Sequence, residues 1–171
     1  MTKGGRRFSP GIVKGVPRRC GYGCPQVLLC GAMRGAEPFP TSFWLVCPHL
    51  LREAGRMESE NGVALMESTL RLVPNGREQW LGYHASHALL RLSLLSYAKK
   101  KYLRERRPGL YRALCRGGVG GIAYSGGEPY VKCLHLQLAS YLATGRHPAS
   151  AWLEERVRGW ECDTGICAKY S

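Results

Sequence analysis

The hydrophobic period of this chain changes at Pro48. Ahead of it stand short runs bounded by Gly and Pro: "GIVKGV", "PQVLLCGAM" and "TSFWLVC". Each has the length of a strand, and the last is β-branched and aromatic. Behind Pro48, apolar residues recur at i, i+3/i+4 and i+7, the spacing of one helix face. Pro48 itself suits the first turn of a helix. A chain patterned this way is α+β, a small N-terminal antiparallel sheet packed on a mainly α-helical body. Its 171 residues allow one core of ordinary size.

Leu50, Leu51, Ala54 and Met57 share a face of the first helix, and Gly62 separates it from "VALMESTLRLV". "PNG" at 74–76 is a turn. A long helix is predicted from Arg77 to Arg106, with Trp80, Tyr83, His84, His87, Leu90, Leu94, Leu95 and Tyr97 along its buried stripe. Pro108 stops it, and a short helix covers Leu110–Cys115. "RGGVGGIAYSGGEP" has too little side chain to pack and reads as a loop. "YVKCLHLQLASYLATG" is an amphipathic helix closed by Gly145, and "PASAWLEERV" is the last. Residues 1–10 read as a basic flexible tail, 11–158 as a single domain and 159–171 as a cysteine-containing C-terminal tail.

There are 25 Lys and Arg against 12 Asp and Glu, a net charge of +13. That excess favours a polyanionic partner, nucleic acid or polyphosphate. Lys99, Lys100, Lys101, Arg104, Arg106 and Arg107 form a basic run, with Tyr97, Tyr102 and Tyr111 interleaved to stack on bases. Part of the run simply complements a helix C-terminus. Gly117, Gly118, Gly120 and Gly121, with Lys132 beyond them, are expected to cradle an anion through backbone N–H groups. The loop lacks the Gly-Lys-Ser/Thr ending of a P-loop. No apolar run approaches the roughly 20 residues of a membrane span. The basic N-terminus has no apolar core of a secretory signal, so a cytoplasmic location is expected.

Eight cysteines in a chain without an export signal point to metal, redox or catalytic use rather than to disulfides. Cys20 and Cys24 are C-x3-C among glycines, Cys162 and Cys167 are C-x4-C, and Cys47 precedes Pro48. One ligand each from Cys20, Cys47, Cys133 and the Cys162/Cys167 tail gives four thiolates, a donor set for Zn²⁺ or an iron–sulfur cluster. The plainer reading is small buried hydrophobes. Cys133 and His135 lie about 200° apart around an ideal helix. They share a site only if the helix begins at Leu134 and leaves Cys133 in the loop, where a helix N-terminus favours a thiolate. The same pair supports a metal-free alternative, with Cys133 as nucleophile and His135 or His84 as base. His84 and His87, at i and i+3, either face one ion or line the core boundary.

"RCGYGCPQVL", "PFPTSFWLVCPHL" with "MESENGV", "GGIAYSGG" and "VKCLHLQLASYLATGRHP" together resemble a bacterial domain-of-unknown-function family, number 501. The resemblance runs from about Arg18 to Pro148. It implies that Cys20, Phe39, Pro40, Thr41, Cys47, Pro48, Lys132, Cys133 and His135 occupy motif positions. Cys24, Cys30 and Cys115 do not, and Cys162/Cys167 resemble a cysteine-bearing tail of some members. It further implies a site shared by Cys20, Cys47 and Cys133, with His135 as fourth ligand or as the group that orients a thiolate. The family carries no established reaction, so the resemblance sharpens the residue list and names no chemistry.

Overall fold

Strand β4 (Pro25–Cys30) is the central strand of the main sheet and is buried on both faces, because one hydrophobic cluster packs on each side of it. A computed structural model describes residues 10–124, 126–165 and 167, and the backbone of β1 (Thr2–Lys3) and β2 (Arg6–Arg7). The rest of the expected basic tail, residues 1, 4–5 and 8–9, lies outside the described residues, as do residues 166 and 168–171 of the expected C-terminal tail. β4 pairs antiparallel with β3 (Val13–Arg19), as the sequence predicted. On its other side, antiparallel β7 (Phe43–Leu45) sets Val27 opposite Leu45 and Leu29 opposite Phe43. The two-residue strands β5 (Met33–Arg34) and β6 (Glu37–Pro38) pair between them. Alternation along β4 divides the interior. Val27 faces the main core, while Leu28 and Cys30 pack with Ile12 and Phe39 on the opposite face. β3 is an edge strand, where Pro17 and the register shifts around Gly15 cost the fewest ladder bonds.

Seven helices make the body: α1 (Pro48–Ser59), α2 (Gly62–Leu72), α3 (Gly76–Ser93), α4 (Tyr97–Arg106), α5 (Pro108–Arg116), α6 (Leu134–Thr144) and α7 (Ser150–Arg156). With the small antiparallel sheet, the fold is α+β. α1 starts on Pro48 and buries Leu50, Ala54 and Met57, one face at i, i+4 and i+7. They meet Met66 and Leu70 of α2, Trp80 of α3, Leu134 and Leu138 of α6, and Leu153 of α7 in one core. Truncating fully buried Leu50 to Ala would cost about 2–5 kcal/mol, the transfer of its methyls plus the cavity left behind. α6 ends in the left-handed conformation at Gly145, as its sequence suggested.

The long helix expected over 77–106 is two helices. α3 stops at Ser93, and Ser96 caps α4 by accepting the Lys99 N–H at 3.2 Å. The break turns Leu95 into a core shared with Ala32, Leu103 and Leu114 and leaves Tyr97 81% exposed, outside the predicted stripe. A single period carried through residues 77–106 hides a serine that is both tolerable inside a helix and better as its cap. Pro108 does not merely end a helix: it opens α5.

Candidate functional site

The β3–β4 connection is a tight turn. The Cys20 N–H donates to Cys24 O and the Gly23 N–H to Cys20 O, both at 2.9 Å, with Gly23 in the left-handed region. The turn carries Cys20 and Cys24. Cys47, at the end of the β7 connection, is the residue before the first turn of α1. The chain after α7 returns to this corner. The Gly21 N–H donates to the Glu161 carboxylate at 2.9 Å, Tyr22 Oη to Asp163 O at 3.0 Å, and Gln26 Nε2 to Trp160 O at 2.7 Å. His49 Nε2 donates to Gly159 O at 2.8 Å, and Gly165 lies against the Tyr22 ring. These contacts deliver Cys162 and Cys167 to the same corner.

All eight cysteines of the chain are thiols rather than disulfides. Cys24 and Cys47 are buried, and Cys20, Cys162 and Cys167 are half-buried. Burial holds the Cys47 thiol above its ordinary range, the amides of Leu50 and His49 pull it back, and charge on Cys162 and Cys20 pushes it up again. Cys167 is raised by burial and then by Cys47, Cys24, Cys162 and Cys20. Five thiols from three chain segments are therefore close enough to feel one another's charge. Among the described residues, no group of three or more His, Cys, Asp or Glu side chains is already arranged to hold a metal ion. Rotation about χ1 moves a cysteine sulfur by about 3 Å between staggered wells.

Cys133 and His135 are elsewhere. α6 does begin at Leu134 and leaves Cys133 as the extended residue before it, the condition set by their spacing. Yet both lie at the far end of α1 from Cys47. Glu58 Oε1 accepts the Leu134 N–H at 2.7 Å and lies 3.0 Å from His135 Nδ1. Eleven residues separate Cys47 from Glu58, about 16 Å along a helix axis. A single ion held by Cys20, Cys47 and Cys133 cannot span that length, since metal–sulfur bonds are about 2.3 Å. The local signals of Cys47 and Cys133 are alike, and only the packing of α6 against α1 separates them. Burial raises the Cys133 thiol, the amides of Leu136 and His135 and nearby Lys132 lower it, and Glu58 raises it. Glu67 accepts the Val131 N–H at 2.8 Å and fixes the approach to α6.

His84 and His87 line the core boundary. His84 Nδ1 accepts the Gly120 N–H at 3.1 Å and its Nε2 donates to Arg116 O at 2.8 Å, so both ring nitrogens are engaged and the ring is neutral. His87 is pulled down to about 4, mainly by burial and then by His84 and Arg91. The expected cradle of glycine amides is also spent inside the protein. Gly117 donates to Leu114 O, Gly118 to Arg116 O, Gly120 to His84 and Gly121 to Gly118 O. These residues are glycine for closeness of packing: a Cβ on Gly118 would lie 2.1 Å from His84 O. Lys132 is exposed, and its chain passes Gly121.

The basic run lies on α4 and at the start of α5. Lys101, Arg104, Arg106 and Arg107 are exposed, and Lys99 and Lys100 are half-buried. Lys99 Nζ donates to Gly35 O at 3.3 Å and Arg104 sits over the Tyr111 ring, so part of the run is used within the protein. Tyr97, Lys101, Arg104 and Glu105 line an open cleft of about 140 Å³.

Residues 16–155 match the family described as "Protein of unknown function (DUF501)". The chain belongs to the DUF501 family. No curated relative and no solved structure matches it. The DUF501 match takes in Cys20, Cys24, Cys47 and Cys133 and ends before Cys162 and Cys167, so the thiol corner joins residues inside the matched span to two beyond it. Sequence reasoning set Cys24 aside and did not see Glu58 as the partner of α6. The C-x3-C spacing carried a signal for Cys24. Nothing local marked Glu58, which acts across 76 positions of sequence.

Among the described residues, no helix is long and apolar enough to cross a membrane.

Proposed function

We propose that this DUF501 protein is a thiolate metalloprotein in which Cys20, Cys24, Cys47, Cys162 and Cys167 supply the ligands of Zn²⁺ or an iron–sulfur cluster. The observation that carries the reading is the convergence of these thiols on one corner, drawn from three segments that hydrogen bond to one another. Burial first, then neighbouring thiols, raises Cys47 and Cys167 and disfavours their thiolates. A soft cation removes that penalty and releases the protons. Soft donors without an imidazole or carboxylate in the set favour zinc or iron–sulfur chemistry over hard cations. Five candidates for four positions leave one thiol as an exchangeable or outer partner. Bound metal would lock the returning C-terminal segment onto the β3–β4 turn.

The test is metal content and visible absorption of the full chain purified without oxygen. About one zinc per chain without colour supports a zinc centre, and iron with sulfide and a brown colour supports a cluster. Colourless, folded protein that binds neither metal sinks the reading.

A second reading, binding of nucleic acid or polyphosphate, draws on the exposed tyrosines and cations around the α4 cleft. Affinity would then fall steeply with salt, and replacing Lys99, Lys100 and Lys101 with Ala would weaken it. A metal-free reaction at Cys133 has the His135–Glu58 pair in its favour and the buried, raised thiol against it.

A further inference from the structure

Arg91 of α3 is only 4% exposed. Its Nη2 donates to Pro40 O at 2.9 Å, and its Nε is buried with no hydrogen-bond partner. Among the described residues no carboxylate forms an ion pair with it. A guanidinium does not give up its proton at any physiological pH. Burying one without a counter-charge is costly, and replacing such a group with an apolar one is often neutral or stabilising. The cost needs a reason, and the surroundings offer one.

Arg91 lines a cleft of about 10 Å³ together with Thr41, Ser42, His87, Gly117 and Gly118. The chain at Gly117 is bare where it meets the charge: a Cβ there would lie 2.8 Å from Arg91 Nη1. His87 is neutral at pH 7, so the guanidinium supplies the formal charge of the lining. We propose that this cleft binds the phosphoryl end of an anionic ligand, with Arg91 as its charge partner. The volume seats about one water-sized group. The cleft therefore takes one oxygen at the tip of the anion and leaves the remainder of the ligand outside. The guanidinium of Arg91 retains donors beyond the one given to Pro40, Nε among them, for a charge-assisted hydrogen bond to that oxygen. This site is independent of the thiol corner and of the basic run on α4.

The experiment is thermal unfolding of the full chain in rising inorganic phosphate, and separately in rising tripolyphosphate, at constant ionic strength set with chloride. The wild-type melting temperature should rise saturably by several degrees with one or both probes. A response to inorganic phosphate assigns the cleft to the free ion, and a response to tripolyphosphate alone assigns it to the end group of a larger molecule. Arg91→Met should lose the response while melting at the same or a higher temperature without phosphate. Arg91→Lys should retain it with about tenfold weaker affinity. No saturable shift in the wild type, an equal response to acetate, or a full response in Arg91→Met overturns the proposal. Should Arg91→Met fail to fold, the ¹⁵N-resolved Nε–H signal of Arg91 in the wild type decides: it moves on phosphate addition, or the site is not there.

Discussion

Cys47 and Cys133 each stand just before the first turn of a helix, each in extended backbone, each with two amides of the following turn lowering its pKa against burial. Their company differs. Around Cys47 the chain gathers Cys20, Cys24, Cys162 and Cys167, and burial together with neighbouring thiols raises both Cys47 and Cys167. Around Cys133 it places Glu58, Lys132 and His135. A helix N-terminus gives a thiol the same local help wherever it occurs. What that thiol can bind is set by side chains that arrive from distant sequence.

The largest expected effect separates the two directly. Cys47→Ser should lower bound metal at least about tenfold in elemental analysis of the purified chain, and Cys133→Ser should leave it within about twofold. Equal losses would collapse the distinction.

Acid should strain the Cys133 side next. α6, which Cys133 precedes, reaches through Gln137 Oε1 to His147 Nε2 at 3.1 Å. Burial pulls His147 down to about 3 and His87 down to about 4. Both folded values lie below the unfolded value near 6.5, so the stability they confer is full above pH 6.5 and is lost as pH falls toward 3–4. Urea midpoints should drop between pH 6.5 and 4, with His87 accounting for on the order of 3 kcal/mol. His87→Gln should flatten the slope. An unchanged slope would mean that His87 is solvated in the folded protein.

A smaller contrast lies in the two carboxylates that brace the sites. Glu58→Ala removes the acceptor of the Leu134 N–H and the His135 partner, at a cost of about 2 kcal/mol in unfolding free energy. Glu161→Ala removes an exposed acceptor of the Gly21 N–H and should cost under about 1 kcal/mol, while speeding metal loss to a chelator. Equal stability losses would remove the difference between a half-buried brace and a surface latch.

The smallest effect is kinetic. In metal-free protein, iodoacetamide should modify Cys133 slowly at pH 7, with a rate that climbs about tenfold per pH unit past the ordinary thiol range, because burial raises its pKa. Rapid labelling at pH 7 would instead mark Cys133 as an activated nucleophile.

Much of the fold was legible in local pattern. The three strands ahead of Pro48 and the Gly145 stop follow from turn residues, capping and period, each acting over a few residues, whereas the start of α6 at Leu134 rather than at Tyr130 was left open. The break at Ser96 was missed because a serine fits either role until Leu95 finds its own core. In the site, Cys20, Cys47, Cys162 and Cys167 stood out by spacing, and Cys24 was visible in the same C-x3-C turn. Cys133 was drawn into the set by the likeness of its local signal to that of Cys47, and the length of α1 separates them. The glycine loop looked like an anion cradle because its composition is the same whether its amides point outward or are consumed, as here, by His84 and neighbouring carbonyls. Arg91 gave no signal, since a lone arginine on a helix reads as surface until its neighbours are known.

By itself, the sequence determined the α+β class, the order of the main strands and helices and the inventory of thiols, because period, caps and turns are short-range effects. Tertiary structure alone decided which thiols meet, that Glu58 braces α6, and that Arg91 is buried without a carboxylate. Those depend on contacts between distant segments, as between Gly21 and Glu161, 140 positions apart, and packing rather than propensity sets them.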